Sequence, residues 1–306
     1  MRLLTVFVLG VIAGILLQKY YSVGRLLHSI GVYKSRATSS HARIGSLHER
    51  REIPLTRLVS QRVMVALAFG QSNAANFGEN PRQAGAGVWN FHQGKLYAAH
   101  DPLLGAGGDG GSVWTRLGDR LIAAKHYDAV VFLTLGVGGA ALARWTVNGD
   151  LHPRLVEAIR DVQSHGLPIT HVLWHQGEKD AMLHTSKHAY KQMFMDMVSS
   201  IRQHGVMAPI YVSVATRCQK VRAQEEIRQA QQELVDMDKG IYAGPDTDTL
   251  DWYYRYDGCH FSDEGLETCA ALWLEKLVPH GLSPQVHGQS QDCEDVRSVP
   301  PERSGP

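Results

Sequence analysis

The sequence predicts an α/β fold in which helices cover both faces of a central parallel sheet. Two observations support this fold class: short, continuous apolar runs alternate with longer amphipathic stretches, and each apolar run is followed by glycine or polar residues. Strands that are buried on both faces are expected to be apolar throughout, as these runs are. With 306 residues, of which 44% are hydrophobic and 20% charged, the chain is long enough to bury a sizeable core.

Four apolar runs are predicted to be strands, at residues 63–69, 129–135, 170–174 and 209–215. Amphipathic periodicity predicts helices near residues 113–125, 153–165, 185–204, 221–238 and 262–278. In a parallel sheet covered by helices, ligands bind at the carboxyl ends of the strands. We therefore expect the chemistry of this protein in the residues that follow these runs.

The two ends of the chain are expected to lie outside the folded domain, which we place at residues 61–281. Residues 1–20 contain a long apolar run that no small-x-small cleavage site follows. We interpret this segment as an N-terminal membrane anchor or signal segment, with a buried helix as the alternative. Residues 21–60 are expected to form a basic linker, and residues 282–306, rich in Pro, Ser, Gln and Gly, a disordered tail.

Two motifs offer the groups of a nucleophilic site. The block Gly70-Gln71-Ser72-Asn73 follows the first predicted strand, so the Ser72 hydroxyl is expected at the sheet edge, beside backbone N–H groups that begin a helix. Asp257 and His260 stand three residues apart just before the last helix, and such a pair can supply a base and the carboxylate that orients it. Each motif alone is also compatible with an ordinary helix cap or turn.

Two further blocks follow other predicted strands. Residues 136–140 (GVGGA) contain glycines that let backbone N–H groups approach a ligand, but they lack the Lys-Ser/Thr pair of a phosphate-binding loop. We interpret them as a pocket for a transient oxyanion. Residues 174–180 (WHQGEKD) offer a side-chain amide at Gln176 and a carboxylate at Glu178. The alternative for this block is a polar loop that simply leaves a strand.

Taken together and in this order, the four blocks resemble the SGNH hydrolases, and within them the sialate O-acetylesterase-like group, also called carbohydrate esterase family 6-like. The matching segments are FGQSN at 69–73, GVGGAALARW at 136–145, WHQGEKD at 174–180 and DGCHFSDEG at 257–265. The resemblance implies the SGNH hydrolase fold, a flavodoxin-like three-layer α/β/α sandwich. It also implies a serine esterase that hydrolyses short-chain (acetyl) esters on a carbohydrate such as sialate or a polysaccharide.

The resemblance further implies a role for individual residues. The implied catalytic residues are the nucleophile Ser72, the general base His260 and its orienting partner Asp257. The implied oxyanion hole consists of the backbone N–H groups of Ser72 and Gly138 and the side-chain amide of Gln176. Residues expected to bind the substrate are Gln71, Asn73, Gly139, Trp145 and Glu178. For Trp145 we expect an aromatic side chain at the pocket rim, with a buried core position as the alternative.

The expected partners are an O-acetylated carbohydrate and, through the N-terminal segment, a membrane. A net charge of +1 gives no reason to expect nucleic-acid binding, and the mechanism requires no cofactor and no metal. We expect the catalytic domain in the periplasm or outside the cell, although nine Lys and Arg between Lys19 and Arg62 favour the cytoplasmic side. An O-acetyltransferase, an esterase for lipid or aryl esters and a non-catalytic glycan-binding module remain alternatives.

Two other features of the sequence carry expectations. Cys218 follows a predicted strand end and Cys259 lies between Asp257 and His260, so both are expected at one edge of the sheet. We hypothesise that an oxidising compartment links them and braces the catalytic loop, with two free thiols as the alternative. The glycine-rich residues 105–112 are expected to form either a wall of the pocket or a plain flexible loop.

Overall fold

The structure is a computed structural model that describes residues 50–219 and 224–277. The predicted anchor at 1–20 and the predicted tail at 282–306 lie outside the described residues. Within the described part, no helix has the length and apolar character needed to cross a membrane.

In the described part of the chain, eight strands form one mixed sheet in the order β1-β4-β3-β5-β2-β6-β7-β8. The strands are β1 (Glu52–Ile53), β2 (Val63–Gly70), β3 (Val88–His92), β4 (Lys95–Ala98), β5 (Ala129–Thr134), β6 (His171–His175), β7 (Ile210–Val214) and β8 (Ile241–Asp246). All neighbours from β3 to β8 pair in parallel, whereas β4 runs antiparallel to β3 and β1. The order β5-β2-β6-β7-β8 is that of flavodoxin-like folds.

Helices cover both faces of this sheet and confirm the predicted three-layer α/β/α sandwich. They are α1 (Val113–Ala123), α2 (His152–Ser164), α3 (Glu178–Met182), α4 (Lys187–Gln203), α5 (Glu225–Glu233) and α6 (Asp263–Leu277). Apolar residues of α1 and α6 share a core with one face of the sheet. Apolar residues of α2, α4 and α5 share a second core with the other face.

The central strand β2 shows why its sequence is an unbroken apolar run. Side chains alternate between the two faces of a strand, so a strand between two helical layers needs apolar residues at every position. The core beneath α2, α4 and α5 contains three of its side chains, Val65, Leu67 and Phe69. The core beneath α1 and α6 contains the three that alternate with them, Met64, Ala66 and Ala68.

Trp145 lies in the core and not at the rim of a pocket. Its exposed fraction is 0%, and its ring makes edge-to-face contacts with Phe69 and Trp174, at centroid distances of 5.2 and 6.4 Å. The prediction that it binds substrate is therefore wrong, and the alternative of a buried tryptophan is confirmed.

The segment from Glu52 to Leu58 also differs from expectation. It falls within the predicted linker at 21–60, yet it supplies the edge strand β1 and a short 3-10 helix. Ile53 and Leu58 are buried in the core, and β1 pairs with β4, so both apolar packing and strand pairing hold the segment to the domain.

Replacing Trp145 by alanine should lower the free energy of unfolding by about 3–5 kcal/mol, because it leaves a large cavity among packed aromatic rings. Trp252, which is 71% exposed, provides the matched control, and Trp252→Ala should cost less than about 0.5 kcal/mol. Urea unfolding followed by circular dichroism measures both. Equal losses in the two variants would contradict the buried position of Trp145.

Candidate active site

The site lies where neighbouring strands of the sheet end. Ser72 follows β2, the glycine block at 136–139 follows β5, and the block at 176–178 follows β6. Since β2 lies between β5 and β6, their carboxyl ends are adjacent. The Val137 N–H donates to the Gly70 carbonyl at 3.2 Å. The boundary between β2 and β6 is the topological switch point of this sheet, where ligands bind in such folds.

The turn that carries Ser72 depends on Gly70. This glycine has a φ of +142°, and a Cβ atom on it would lie 2.1 Å from the carbonyl oxygen of His175 on β6. A side chain here would force the two strands apart. Immediately afterwards the chain enters a 3-10 turn, Ser72–Ala74, which Ser72 opens. The first N–H groups of such a turn have no acceptor within the turn itself.

Asp257 and His260 form a hydrogen-bonded pair within a single turn of chain. His260 Nδ1 lies 2.6 Å from Asp257 Oδ2, and the other carboxylate oxygen accepts the backbone N–H groups of Cys259 and His260 at 2.9 and 2.7 Å. With its Nδ1 proton donated to Asp257, the imidazole presents Nε2 as a free base. Burial opposes ionisation of Asp257, but the hydrogen bonds to His260 and to these N–H groups outweigh it and lower the pKa of the carboxyl.

Phe77, which none of the sequence motifs indicated, connects the His260 imidazole to the glycine block. Its ring stacks on the His260 imidazole at 5.4 Å and 26°. The position that a Cβ of Gly138 would occupy lies 2.8 Å from the same ring, so the glycine permits this close approach. The Tyr256 hydroxyl donates to the Phe77 carbonyl at 3.2 Å. Its position five residues after Ser72, just beyond the same turn, was the signal that could have found Phe77.

Asn73 joins three of the sequence blocks. Its Nδ2 donates to Glu178 Oε1 at 2.7 Å and to the Cys259 carbonyl at 3.3 Å. The turn that carries Ser72 is thereby attached both to the loop after β6 and to the loop of Asp257 and His260. Asn73 and Glu178 are buried, and these bonds direct their polar groups into the protein, so their contacts do not support the prediction that they bind substrate.

Glu178 is a buried carboxyl, and one of its two oxygens accepts a hydrogen bond from the described residues. Oε1 accepts the Asn73 bond, whereas Oε2 has no hydrogen-bond partner among the described residues. Burial raises the pKa of Glu178 to about 7, and the Asn73 bond and the positive charge of Arg255 act in the opposite direction. Arg255, also missed in the sequence, is itself buried and donates to the Cys259 carbonyl at 2.5 Å.

Gln176 has a structural role beneath the glycine block. Its Nε2 donates to Asp180 Oδ2 at 2.6 Å and to the Ala140 carbonyl at 3.1 Å, which accounts for both of its amide hydrogens. The prediction that this amide donates to an oxyanion is therefore not supported. Gln71 is buried in the same way, and its Oε1 accepts the Lys179 N–H at 3.0 Å. It belongs to this network and not to a substrate-binding surface.

Gly138 and Gly139 are the exposed part of the site. Gly139 has a φ of +66°, and the space that a Cβ would occupy there is open. The glycine-rich loop at 105–112 packs beside this block, since the Gly107 N–H donates to the Gly136 carbonyl at 2.9 Å. This contact favours the interpretation of the loop as a wall of the site.

A disulfide joins Cys218 to Cys259, as hypothesised from the sequence, with a Cα–Cα distance of 4.1 Å. Next to it, the Gln219 N–H donates to the Gly258 carbonyl at 2.7 Å. The loop of Asp257 and His260 is therefore attached covalently to the end of β7. In the described ranges, no three His, Cys, Asp or Glu side chains are grouped so that they could hold a metal ion.

Comparison of the sequence with known protein families finds a match. The profile of a family described as carbohydrate esterase, sialic acid-specific acetylesterase, matches residues 62–277. No curated protein matches the sequence significantly.

Solved structures resemble this chain at low sequence identity. A protein from Arabidopsis thaliana superposes with a TM-score of 0.58 at 16% identity, covering 71% of this chain and 97% of its own. NanS has a TM-score of 0.45 at 17% identity, over 60% of this chain and 78% of its own. A carbohydrate acetylesterase from Xanthomonas citri has a TM-score of 0.43 at 16% identity, over 69% and 54% of the two chains. The likeness to the Arabidopsis protein is a likeness of fold.

The disulfide should stabilise the folded protein by about 2–4 kcal/mol, because it closes a long loop in the unfolded chain. The double variant Cys218→Ser/Cys259→Ser should lose this amount in urea unfolding, and wild-type protein should lose the same on reduction. Peptide mapping of protein purified without reductant should find these two residues linked and Cys269 as a thiol. Unchanged unfolding midpoints after reduction would contradict the structural role of the bond.

Glu178 should make stability depend on pH. Its pKa is about 7 in the folded protein against 4.5 for the free side chain, so the native state binds the extra proton between these values and stability falls as pH rises through the window. Glu178→Gln keeps the acceptor for Asn73 but removes the titration. The stability of this variant relative to wild type should therefore increase by on the order of 3 kcal/mol from pH 4.5 to 7.5.

The exposed Glu157 supplies the matched control for this experiment, because Glu157→Gln changes a carboxylate that is already in water. Chemical unfolding at four or five pH values measures the free energy of unfolding of all three proteins. Parallel pH profiles for wild type and Glu178→Gln would show that Glu178 does not titrate in this range.

Proposed function

Because this chain belongs to the carbohydrate esterase family of sialic acid-specific acetylesterases, and is thus an ester-hydrolysing enzyme, we propose that it removes acetyl groups from a carbohydrate through Ser72, His260 and Asp257. The observation that carries the proposal is the 2.6 Å contact between His260 Nδ1 and Asp257 Oδ2, in a loop hydrogen-bonded through Asn73 to the turn of Ser72. The proposed substrates are O-acetylated sialic acids or an O-acetylated polysaccharide.

In the proposed first step, the Ser72 hydroxyl attacks the carbonyl carbon of the acetyl ester while His260 Nε2 takes its proton. Asp257 holds the imidazole in the required tautomer and stabilises the positive charge that forms on it. The tetrahedral intermediate then breaks its bond to the sugar oxygen, and the imidazolium protonates that oxygen. The products of this step are a free sugar hydroxyl and an acetylated Ser72.

In the second step a water molecule takes the place of the sugar. His260 removes a proton from the water as it attacks the acetyl carbonyl, and the collapse of the second intermediate returns the proton to the Ser72 oxygen. Acetate leaves and the enzyme is regenerated. Neither step draws on a group outside the protein, the ester and water.

The proposed oxyanion donors are the backbone N–H groups of Ser72 and Gly138. Ser72 opens a 3-10 turn, and Gly138 is exposed on the neighbouring strand end beside Phe77. One fixed donor in such a site contributes about 10²–10³ in turnover. In this scheme Gln176 acts from below, since its bond to the Ala140 carbonyl helps to fix the glycine turn.

We further propose that the enzyme works in an oxidising compartment, the periplasm or the cell exterior. The disulfide between Cys218 and Cys259 supports this location, because such bonds persist where glutathione and thioredoxin do not reduce them. An N-terminal segment that anchors the enzyme to a membrane fits the same proposal.

Ser72→Ala and His260→Ala should each reduce acetate release by at least about a thousandfold without loss of folding, and Asp257→Asn should cause a smaller loss. Acetate is measured enzymatically with the full-length protein, using O-acetylated sialic acids, an acetylated polysaccharide and p-nitrophenyl acetate. Ser199→Ala, an exposed serine on α4, is the matched control and should retain wild-type activity.

The outcomes separate the proposal from its rivals. Ser72-dependent release that declines for longer acyl chains supports an acetylesterase, and a preference for long chains would replace it with a lipid esterase. Release that falls when a sugar acceptor is added, with acetyl found on the acceptor, would indicate a transferase. Wild-type activity in Ser72→Ala would refute the proposed nucleophile.

A further inference from the structure

Two aromatic side chains close to the proposed catalytic loop are largely exposed. Trp252 is 71% and Tyr253 57% exposed, and they are the only aromatic members of the large apolar side chains exposed in the described part of the chain. Burying a large apolar side chain stabilises a folded protein, so leaving two adjacent rings in water forfeits that gain. Contiguous exposed apolar surface on a folded domain marks a place of interaction.

The two rings are held in place by the surrounding structure. They belong to a 3-10 turn, Trp252–Tyr254, whose preceding residue Asp251 accepts the Tyr253 N–H at 2.9 Å. The Glu264 carboxylate, in the first turn of α6, lies close enough to the Tyr253 hydroxyl to raise its pKa. Its ring meets Tyr254 edge-to-face at 5.3 Å, and Trp252 stands against it at 6.4 Å and 83°. A fixed aromatic surface loses little entropy when a ligand binds.

This turn leads directly into the proposed catalytic loop. Arg255 and Phe261 form a bridge that closes the loop of Asp257 and His260. Asp257 follows Trp252 by five positions, so their Cα atoms lie at most about 18 Å apart. A carbohydrate chain whose acetylated sugar lies beside Asp257 and His260 can extend over this distance with its neighbouring sugars.

We propose that Trp252 and Tyr253 form a second sugar-binding subsite, which takes a sugar ring of the same carbohydrate chain that carries the acetyl ester. The C–H face of a pyranose ring is apolar and stacks on an aromatic ring, while the hydroxyl groups at its edge stay hydrated. The carboxylates of Asp251 and Glu264 border the two rings and can accept hydrogen bonds from those hydroxyls. This inference rests on the proposed carbohydrate esterase function and adds a preference for oligomeric over monomeric substrates.

The test compares substrates with one sugar and with several. Full-length wild type, Trp252→Ala, Tyr253→Ala and the double variant are assayed with an acetylated oligosaccharide, the matching acetylated monosaccharide and p-nitrophenyl acetate. For each ring removed, the ratio of kcat/KM on the oligosaccharide to that on the aryl ester should fall roughly five- to tenfold through KM. Met207→Ala, an apolar residue exposed to 75%, is the control and should leave the ratio unchanged.

An equal ratio in wild type and double variant would overturn the subsite. If the ratio is unchanged and the double variant binds anionic lipid vesicles more weakly than wild type does, the subsite is also overturned. In that case the two rings bind a membrane surface. A second measurement keeps the subsite testable if no acetate is released: titration of Ser72→Ala with the deacetylated oligosaccharide by calorimetry. Binding that disappears in Ser72→Ala/Trp252→Ala supports the subsite even if the proposed catalysis fails, and binding that survives refutes it.

Discussion

The position of His260 relative to Ser72 depends on a single residue, Cys259. Its N–H donates to Asp257, its carbonyl accepts from Asn73 and Arg255, and its sulfur is bonded to Cys218. Every group of the residue is thus in use. Because Cys259 directly precedes His260 in the chain, these bonds fix where the imidazole stands with respect to the turn of Ser72. Preorganisation of this kind allows a catalytic group to act without reorganisation during the reaction.

The groups that meet around Cys259 are polar and buried, and their loss of hydration would destabilise the fold if no hydrogen bonds replaced it. A buried carboxyl such as Glu178 loses its hydration, and the pKa of about 7 expresses this cost. The Asn73 bond and the charge of Arg255 offset part of it, and Arg255 in turn donates to backbone carbonyls and lies over the Phe261 ring at 4.6 Å. Polar networks of this kind specify one arrangement of loops where apolar packing would permit several.

The sequence sufficed for the layers of the fold and for groups that are close in the chain. Strand β2 was evident from its apolar run, and the Asp257/His260 pair forms within one turn. Strand β8 was missed because Gly244 and Pro245 interrupt its apolar pattern, and the antiparallel β3 and β4 because their runs are short and mixed. The direction of a side chain was the least predictable property. Gln176 and Glu178 were placed at the correct strand end and Trp145 at the rim of the pocket, yet tertiary contacts turn all three into the interior.

Because these side chains point into the protein, backbone groups form the exposed face of the site. Asn73, Gln176 and Glu178 are buried beneath the strand ends, whereas Gly138 and Gly139 are exposed above them. A ligand that approaches Ser72 therefore meets N–H groups and the rings around the loop before it meets any side-chain amide. Backbone N–H groups on a turn that is fixed from below cannot rotate away. They can donate to the carbonyl oxygen of any acetyl ester that fits the site. In the proposed mechanism the fold itself would hold the oxyanion, and discrimination between carbohydrates would fall to surfaces beyond the reacting atoms.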